Sequence, residues 1–291
     1  MYELIRVGKN TWYVDCPTKI GIYRLQENKV WLIDSGNDRD AGKKLLKIIA
    51  EEDWELQGIF NTHSNADHVG GNRLLADRSG CKIVSSRLEN MFAEHPFLEP
   101  AFLYGGYPCK PLRNKFLQAE PCLPDGGLEL LPSELEAFSL PGHYFDMNGI
   151  KTPDNIYFLA DSMFSEATLA KYHICFIYDV AGFLTTLDML EELNGELFVP
   201  AHAEAVHDIR PLCILNRNKT QEIAENILKF CMQPLDFEQL LQKLFTHYKL
   251  LMNFNQYVLV GSTIRSYLSW LFDQHHIKAD FVDNRLLWRT I

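Results

Sequence analysis

Four short apolar stretches of the chain each run directly into side chains that commonly bind metal ions. The first covers residues 58–60 and opens a loop that carries His63, Asp67 and His68 within six positions. Imidazole nitrogens and carboxylate oxygens suit zinc, manganese or iron. A solvated polar loop that opens a helix is the simpler interpretation, but three such side chains crowded into one turn favour a metal-binding loop at a strand end.

The other three apolar stretches end in the same way. His143 follows a Pro-Gly turn, Asp161 closes the run 156–160, and His202 follows the run 197–199. Taken singly, such a histidine is more often a hydrogen-bonded structural residue, and such an aspartate is more often a helix cap. Four strand candidates ending in this way over about 140 residues point to one shared metal centre.

The loop at residues 61–72 resembles the signature of the metallo-β-lactamase superfamily, Thr-His-x-His-x-Asp-His followed by two small residues. Asn65 stands where that signature has its second histidine. The resemblance implies a centre for two metal ions that share Asp161. One site would use His63, Asn65, His143 and Asp161, and the other Asp67, His68, His202 and Asp161. The resemblance also implies that Asp34, in an early Asp-x-Gly turn, supports the ligands by hydrogen bonding.

The asparagine weakens the first of these sites. Its side chain is neutral and offers only a carbonyl oxygen, which suits manganese or ferrous iron better than zinc. A single-metal enzyme, a binuclear site of unequal affinities and a decayed site all fit this change. We expect one or two divalent ions, with zinc as the first choice and manganese or iron as alternatives.

The resemblance implies a metal-dependent hydrolase in which a metal-bound hydroxide attacks a small ester, thioester, lactone or phosphoester. Asp67 is expected to be both a ligand and the catalytic residue that orients the water. Three alternatives stay open: a metal-dependent ribonuclease, an iron-dependent sulfur oxidoreductase and a non-catalytic binding protein. His207 and Tyr144 could donate a proton to a leaving group, although structural roles are the better expectation for both.

Composition limits the partners. The chain has 291 residues and a net charge of −10, which disfavours binding to nucleic acid. Its seven cysteines are scattered without a Cys-x-x-Cys pair, as expected of reduced thiols. Neither a secretory start nor an apolar run of about 18 residues is evident. We therefore expect a cytoplasmic protein with a small-molecule substrate and no membrane contact, and we leave a homodimer open.

The hydrophobic pattern predicts a mixed α/β fold, a four-layer αββα sandwich over residues 1–209. Residues 210–291 are expected to form a small helical domain that resembles a winged helix. It would contain helices at 210–232, 237–248 and 256–272 and a hairpin that turns at Asp283-Asn284. Residues 89–121 lack periodicity but are aromatic. We expect them to be irregular and to bury those aromatic residues, either over the active site, as a flap on the sheet or in a dimer contact.

Overall fold

A computed structural model describes residues 2–291 and contains two central β-sheets. The first sheet has six strands in the order β1-β2-β3-β4-β5-β6. Their bounds are β1 Glu3–Arg6, β2 Thr11–Asp15, β3 Ile20–Gln26, β4 Lys29–Ile33, β5 Glu55–Phe60 and β6 Lys82–Val84. Strands β1 to β4 pair antiparallel, whereas β4, β5 and β6 run parallel. The carboxyl ends of β4 and β5 therefore lie side by side at one edge of the sheet.

The second sheet has four strands in the order β10-β9-β8-β7. Their bounds are β7 Glu136–Ser139, β8 Asn148–Lys151, β9 Ile156–Phe158 and β10 Leu197–Val199. Strands β9 and β10 are parallel, so the residues that follow them emerge at the same edge. This pairing brings Asp161 and His202 close together.

Ten helices cover and connect the sheets within residues 2–291. Their bounds are α1 Arg39–Glu51, α2 Ala66–Val69, α3 Asn72–Ser79, α4 Arg87–Glu94, α5 Leu98–Tyr104, α6 Glu166–Tyr172, α7 Val180–Glu191, α8 Arg210–Phe230, α9 Phe237–His247 and α10 Phe254–Asp273. Across the described part of the chain, none of these helices has the length and apolar character needed to cross a membrane.

Alternation along β4 shows how the layers are built. Val30 and Leu32 pack in the cluster that contains Leu45 of α1. Trp31 and Ile33 point the other way, into the cluster between the two sheets. Successive side chains of a strand face opposite sides, so one strand contributes to two adjoining layers.

The second sheet repeats this division. Ile156 and Phe158 of β9 face the first sheet. Tyr157, between them, joins the outer cluster with Phe183 of α7 and Ile223 of α8. The order of layers is helix, sheet, sheet, helix, which confirms the predicted αββα sandwich.

The C-terminal region is helical and ends in a hairpin, as predicted. Strands β11 Ile277–Val282 and β12 Arg285–Thr290 pair antiparallel. The two residues between them, Asp283 and Asn284, have φ values of 50° and 59°, as a two-residue type I′ turn requires. Helices α8 to α10 share one buried cluster with β9 and α7. The division into domains 1–209 and 210–291 stays a prediction.

The prediction for residues 89–121 was wrong in two respects. Most of α4 and all of α5 fall within this segment, so it is not irregular throughout. Pro100 does not prevent α5 from forming, because it lies in the first turn of the helix, where a missing N–H costs little. The aromatic side chains are also not uniformly buried, since Tyr107 is 80% exposed and Phe97 50% exposed, whereas Phe92 is buried.

Candidate metal centre

Seven side chains from separate parts of the sequence meet between the two sheets, at the edge where strands β5, β9 and β10 end. His63 and Asn65 lie in the loop after β5, and Asp67 and His68 lie in the short helix α2. His143 lies between β7 and β8, Asp161 follows β9, and His202 follows β10. The structure thus brings together every residue of the predicted ligand set. Their role as metal ligands is taken up below as a proposal.

Three of the seven side chains, Asp67, His68 and His202, form what we call the acidic half of the centre. Nε2 of His202 lies 3.3 Å from Oδ2 of Asp67 and 3.1 Å from Oδ2 of Asp161. Nε2 of His68 lies 3.0 Å from Oδ1 of Asp161. The side chains of Asp67 and His202 are 39% and 25% exposed, so the centre opens to solvent on this side.

His63, Asn65 and His143 form what we call the neutral half. Nε2 of His143 lies 3.2 Å from Oδ1 of Asn65 and 3.5 Å from Oδ2 of Asp161. The rings of His63 and His143 have their centroids 5.1 Å apart. Asp161 therefore contacts histidines of both halves and lies between them.

The two halves differ in their affinity for protons. Burial lowers the pKa of His202, but the carboxylates of Asp161 and Asp67 exceed that effect and raise the pKa to about 10. Burial also opposes a charge on His68, yet the surrounding aspartates raise its pKa well above the usual value. In the neutral half, burial lowers the pKa of His63 well below its usual value and lowers that of His143.

Hydrogen bonds on the far side of each ring orient three of the histidines. Nδ1 of His68 lies 2.7 Å from Oδ2 of Asp34, and Nδ1 of His143 lies 3.0 Å from the carbonyl oxygen of Phe176. Nδ1 of His63 lies 3.0 Å from Oγ1 of Thr62. In the uncharged form of each of these three histidines, the proton resides on Nδ1 and the lone pair of Nε2 points into the centre.

Asp34 holds this arrangement from the end of β4. Its Oδ1 accepts the backbone N–H of Thr62 at 2.8 Å, and its Oδ2 accepts the Thr62 hydroxyl at 2.8 Å. Asp34 itself has a positive φ of 67°, a conformation that aspartate tolerates better than most residues. The hydrogen bonds agree with the supporting role that the sequence predicted for Asp34.

A close backbone approach fixes the turn that carries His143. Gly142 has a φ of 122°, and a Cβ at this position would lie 2.2 Å from the backbone nitrogen of Phe183. Only glycine avoids that clash, so helix α7 packs directly against the turn. This contact sets the position of His143 at the centre.

The polar atoms at the centre suit a cation. Nε2 of His63, Nε2 of His68 and Oδ1 of Asp161 are buried and make no well-aligned hydrogen bond among residues 2–291, although the last two atoms lie 3.0 Å apart. The ligand atoms of these three residues lie within 4.8 Å of one another, as do those of Asp67, His68 and His202. Buried polar atoms that converge without well-formed hydrogen bonds are costly unless a positive ion lies among them. The donor set of imidazoles and carboxylates fits a divalent metal ion.

Two buried glutamates near the loop were not predicted. Glu89 of α4 accepts the backbone N–H and the hydroxyl of Ser64 at 2.9 and 2.6 Å, and burial raises its pKa to about 7. Glu99 of α5 accepts an N–H of the Asn65 carboxamide at 2.9 Å. Neither follows a strand or belongs to a motif, so no direct signal in the sequence pointed to them. Their position within an aromatic, apolar segment was the one available indication.

The two proton donors considered from the sequence have other surroundings. Nδ1 of His207 lies 2.6 Å from the carbonyl oxygen of Glu196. Tyr144 is buried with its ring 5.8 Å from that of His63, and burial raises its pKa well above the usual value. These contacts agree with the structural roles expected for both.

The sandwich and the loop are those of a known class of protein. The sequence model of the metallo-beta-lactamase superfamily matches residues 13–202, which is more than half of the chain. The chain belongs to this superfamily.

Two relatives match this chain over only part of its length. Hydroxyacylglutathione hydrolase from Enterobacter sp. (strain 638) is 30% identical over 132 residues, which cover 43% of each chain. The enzyme of the same name from Pseudomonas paraeruginosa is 25% identical over 167 residues, covering 50% of this chain and 54% of the relative. The chain thus spans about half the length of these two relatives.

Solved structures resemble the fold over nearly the whole chain. A beta-lactamase domain protein from Burkholderia ambifaria has a TM-score of 0.75 at 13% identity, covering 99% of this chain and 94% of that protein. A metallo-beta-lactamase family protein from Thermus thermophilus has a TM-score of 0.70 at 16% identity, covering 99% and 98%. At such identities the similarity concerns the fold alone, and it includes the C-terminal helices and hairpin.

Proposed function

We propose that the protein is a metal-dependent hydrolase of a small thioester or ester. The observation that carries the proposal is the convergence of buried atoms of His63, His68 and Asp161 that make no well-aligned hydrogen bond, in a centre that opens to solvent beside Asp67 and His202. The thioester preference is supported by the hydroxyacylglutathione hydrolases among the relatives.

The seven side chains would hold one or two divalent ions, with Asp161 shared between the halves. Zinc is the first choice, and the amide oxygen of Asn65 favours manganese or iron in the neutral half. When bound, such an ion acts as a Lewis acid and makes water a stronger nucleophile at neutral pH.

Asp67 is the proposed catalytic side chain. Its carboxylate accepts a hydrogen bond from the Thr18 hydroxyl at 3.2 Å. Burial alone would raise the pKa of Asp67, but the neighbouring imidazoles of His68 and His202 lower it below the usual value. Asp67 therefore stays ionised at neutral pH, and its exposed side can accept a hydrogen bond from an attacking water.

The proposed compartment and substrate class are supported by the cysteines and the net charge of the chain. All seven cysteines are free thiols, which supports the cytoplasm as the compartment. The net charge of −10 favours a small-molecule substrate over nucleic acid. A homodimer stays open.

The test is hydrolysis by chelator-treated protein reloaded separately with zinc, manganese and ferrous iron. The substrates are a hydroxyacylglutathione thioester, a simple ester, a lactone, a phosphodiester and a single-stranded RNA, with Asp161→Asn as the control. We expect turnover of the thioester or the ester that the control lacks. Cleavage of RNA would favour a ribonuclease, and metal-dependent oxidation of thiols in air would favour a sulfur oxidoreductase. Bound metal without turnover of any substrate would leave a binding protein.

A further inference from the structure

Glu99 is a buried carboxylate that the proposed chemistry does not use. It lies in α5 and is 6% exposed, within a segment that is otherwise apolar and partly open to solvent. A buried carboxylate is costly unless its oxygens accept hydrogen bonds. The partner here is the side chain of Asn65, whose Nδ2 lies 2.9 Å from Oε1 of Glu99. Glu99 therefore contacts the one position at which the metal loop departs from the superfamily signature.

The hydrogen bond decides which end of the Asn65 carboxamide faces the centre. A carboxamide has a donor nitrogen at one end and an acceptor oxygen at the other. Because Nδ2 donates to Glu99, Oδ1 is turned toward His143 and lies 3.2 Å from its Nε2. The reverse orientation would place the carbonyl oxygen of Asn65 against an oxygen of Glu99, which is unfavourable when that oxygen carries no proton.

The environment of His143 gives this orientation a chemical meaning. The carbonyl oxygen of Phe176 can only accept, so Nδ1 of His143 donates to it and Nε2 of the neutral ring carries a lone pair. That lone pair, Oδ1 of Asn65 and Oδ2 of Asp161, 3.5 Å from Nε2, all point at the same space. Two oxygen acceptors and one nitrogen acceptor this close together match the ligand pattern of a divalent cation.

We propose that Glu99 is a positioning residue that turns the Asn65 oxygen into the centre, and thereby raises the affinity of the neutral half for a divalent cation such as Mn²⁺. This inference rests on the proposed function, because it assumes that the seven side chains hold metal. Glu99 acts through Asn65, whose side chain donates a hydrogen bond to it.

The test is a double-mutant cycle on Mn²⁺ binding to chelator-treated protein, with free Mn²⁺ measured by electron paramagnetic resonance. Glu99→Met removes the acceptor at similar side-chain length, and Asn65→Ala removes the carboxamide. We expect Glu99→Met to weaken one of two Mn²⁺ sites roughly tenfold, and to have less than about a twofold effect when Asn65→Ala is already present. Glu94→Met is the matched control, because Glu94 lies on α4 with 48% of its side chain exposed, and it should leave both sites unchanged.

A second variant keeps the test informative if Glu99→Met does not fold. Glu99→Gln retains an acceptor oxygen at the same place, so it should bind Mn²⁺ within about threefold of the wild type. A tenfold loss in Glu99→Gln would overturn the inference, because an acceptor would then not be sufficient.

The remaining outcomes separate this inference from the proposed function. Equal losses from Glu99→Met with and without Asn65→Ala would show that Glu99 acts independently of Asn65, and unchanged affinity would show that it does not act. Either result overturns the inference and leaves the hydrolase proposal intact. A folded wild-type protein that binds neither Mn²⁺ nor Zn²⁺ would overturn both.

Discussion

The two halves of the centre contain histidines in opposite electrostatic surroundings. In the acidic half, carboxylates lie within 3.3 Å of His202 and raise its pKa to about 10. In the neutral half, the partner of His143 is the amide of Asn65, and burial lowers the pKa of His143. Identical side chains thus hold protons tightly on one side of Asp161 and weakly on the other.

This difference predicts how metal and protons compete. Ligand imidazoles must be deprotonated before they bind an ion, so the acidic half must release protons that the neutral half does not carry at pH 7. In exchange, the acidic half offers the carboxylate of Asp67 in addition to the shared Asp161, and its charge attracts a cation. The neutral half offers Asn65, which has no charge. We therefore expect two sites of unequal affinity, with the acidic half the stronger near neutral pH.

Removal of Asp161 should have the largest effect, because it belongs to both halves. Asp161→Asn keeps the shape of the side chain and removes the shared negative charge. We expect loss of bound metal and a roughly thousandfold fall in kcat/KM for thioester hydrolysis, or about 4 kcal/mol. Metal analysis and steady-state kinetics on the same preparation measure both. Unchanged metal content in Asp161→Asn would break the comparison, since the two halves would then not depend on a shared carboxylate.

The pH dependence of stability can show whether the buried carboxyl group of Glu89 holds the loop that contains Ser64 and Asn65. Burial raises its pKa from 4.5 to about 7, so the folded protein binds this proton more tightly than the unfolded chain does. The contribution of Glu89 to stability is therefore greatest below pH 4.5 and is lost as the pH rises through about 7. A shift of this size corresponds to about 3 kcal/mol.

The measurement is urea unfolding of metal-free wild type and Glu89→Gln at pH 4.5, 6 and 7.5. The difference between their free energies of unfolding should fall by about 3 kcal/mol from the lowest pH to the highest, with the wild type losing more. The titration of all other groups cancels in the difference. A constant difference across this range would mean that Glu89 is charged throughout and stabilised by its hydrogen bonds to Ser64 and Asp146.

Asp34→Asn should weaken the acidic half selectively. Asn tolerates the positive φ at this position. Its amide nitrogen, however, would replace one of the two carboxylate oxygens that accept hydrogen bonds from Thr62 and from Nδ1 of His68. We expect metal affinity in that half to fall roughly 10- to 100-fold. His143 is oriented by a backbone carbonyl and His63 depends on Asp34 only through the Thr62 hydroxyl, so the neutral half should lose less affinity than the acidic half. Calorimetric titration of Zn²⁺ resolves the two sites, and equal losses in both would contradict this selectivity.

The sequence was most informative where an apolar run ends at a proposed ligand. Residues after β5, β9 and β10 were identified because a buried strand followed by His or Asp is readable without knowledge of distant contacts. Helices α8 to α10 and the hairpin were predicted for a related reason, since their periodicity and the turn at Asp283-Asn284 are local signals.

Glu89 and Glu99 lay beyond this reasoning. Their importance depends on two short helices packing against a loop at least 25 residues earlier in the chain, as the hydrogen bonds to Ser64 and Asn65 require. No local pattern specifies that packing. The same dependence explains why the exposed aromatic residues of this segment were wrongly expected to be buried.

Asn65→His should have the smallest effect and bears most directly on the contrast between the halves. An imidazole would give the neutral half a nitrogen donor in place of an amide oxygen, which raises its affinity for Zn²⁺ more than for Mn²⁺. We expect zinc to bind the neutral half roughly tenfold more tightly, so that a preparation holding about one zinc per chain approaches two. Elemental analysis after dialysis against limiting zinc measures this, with the acidic half as the internal reference. If the wild type already holds two zinc ions and Asn65→His changes nothing, the amide is an adequate zinc ligand, and the two halves differ in proton affinity but not in metal affinity.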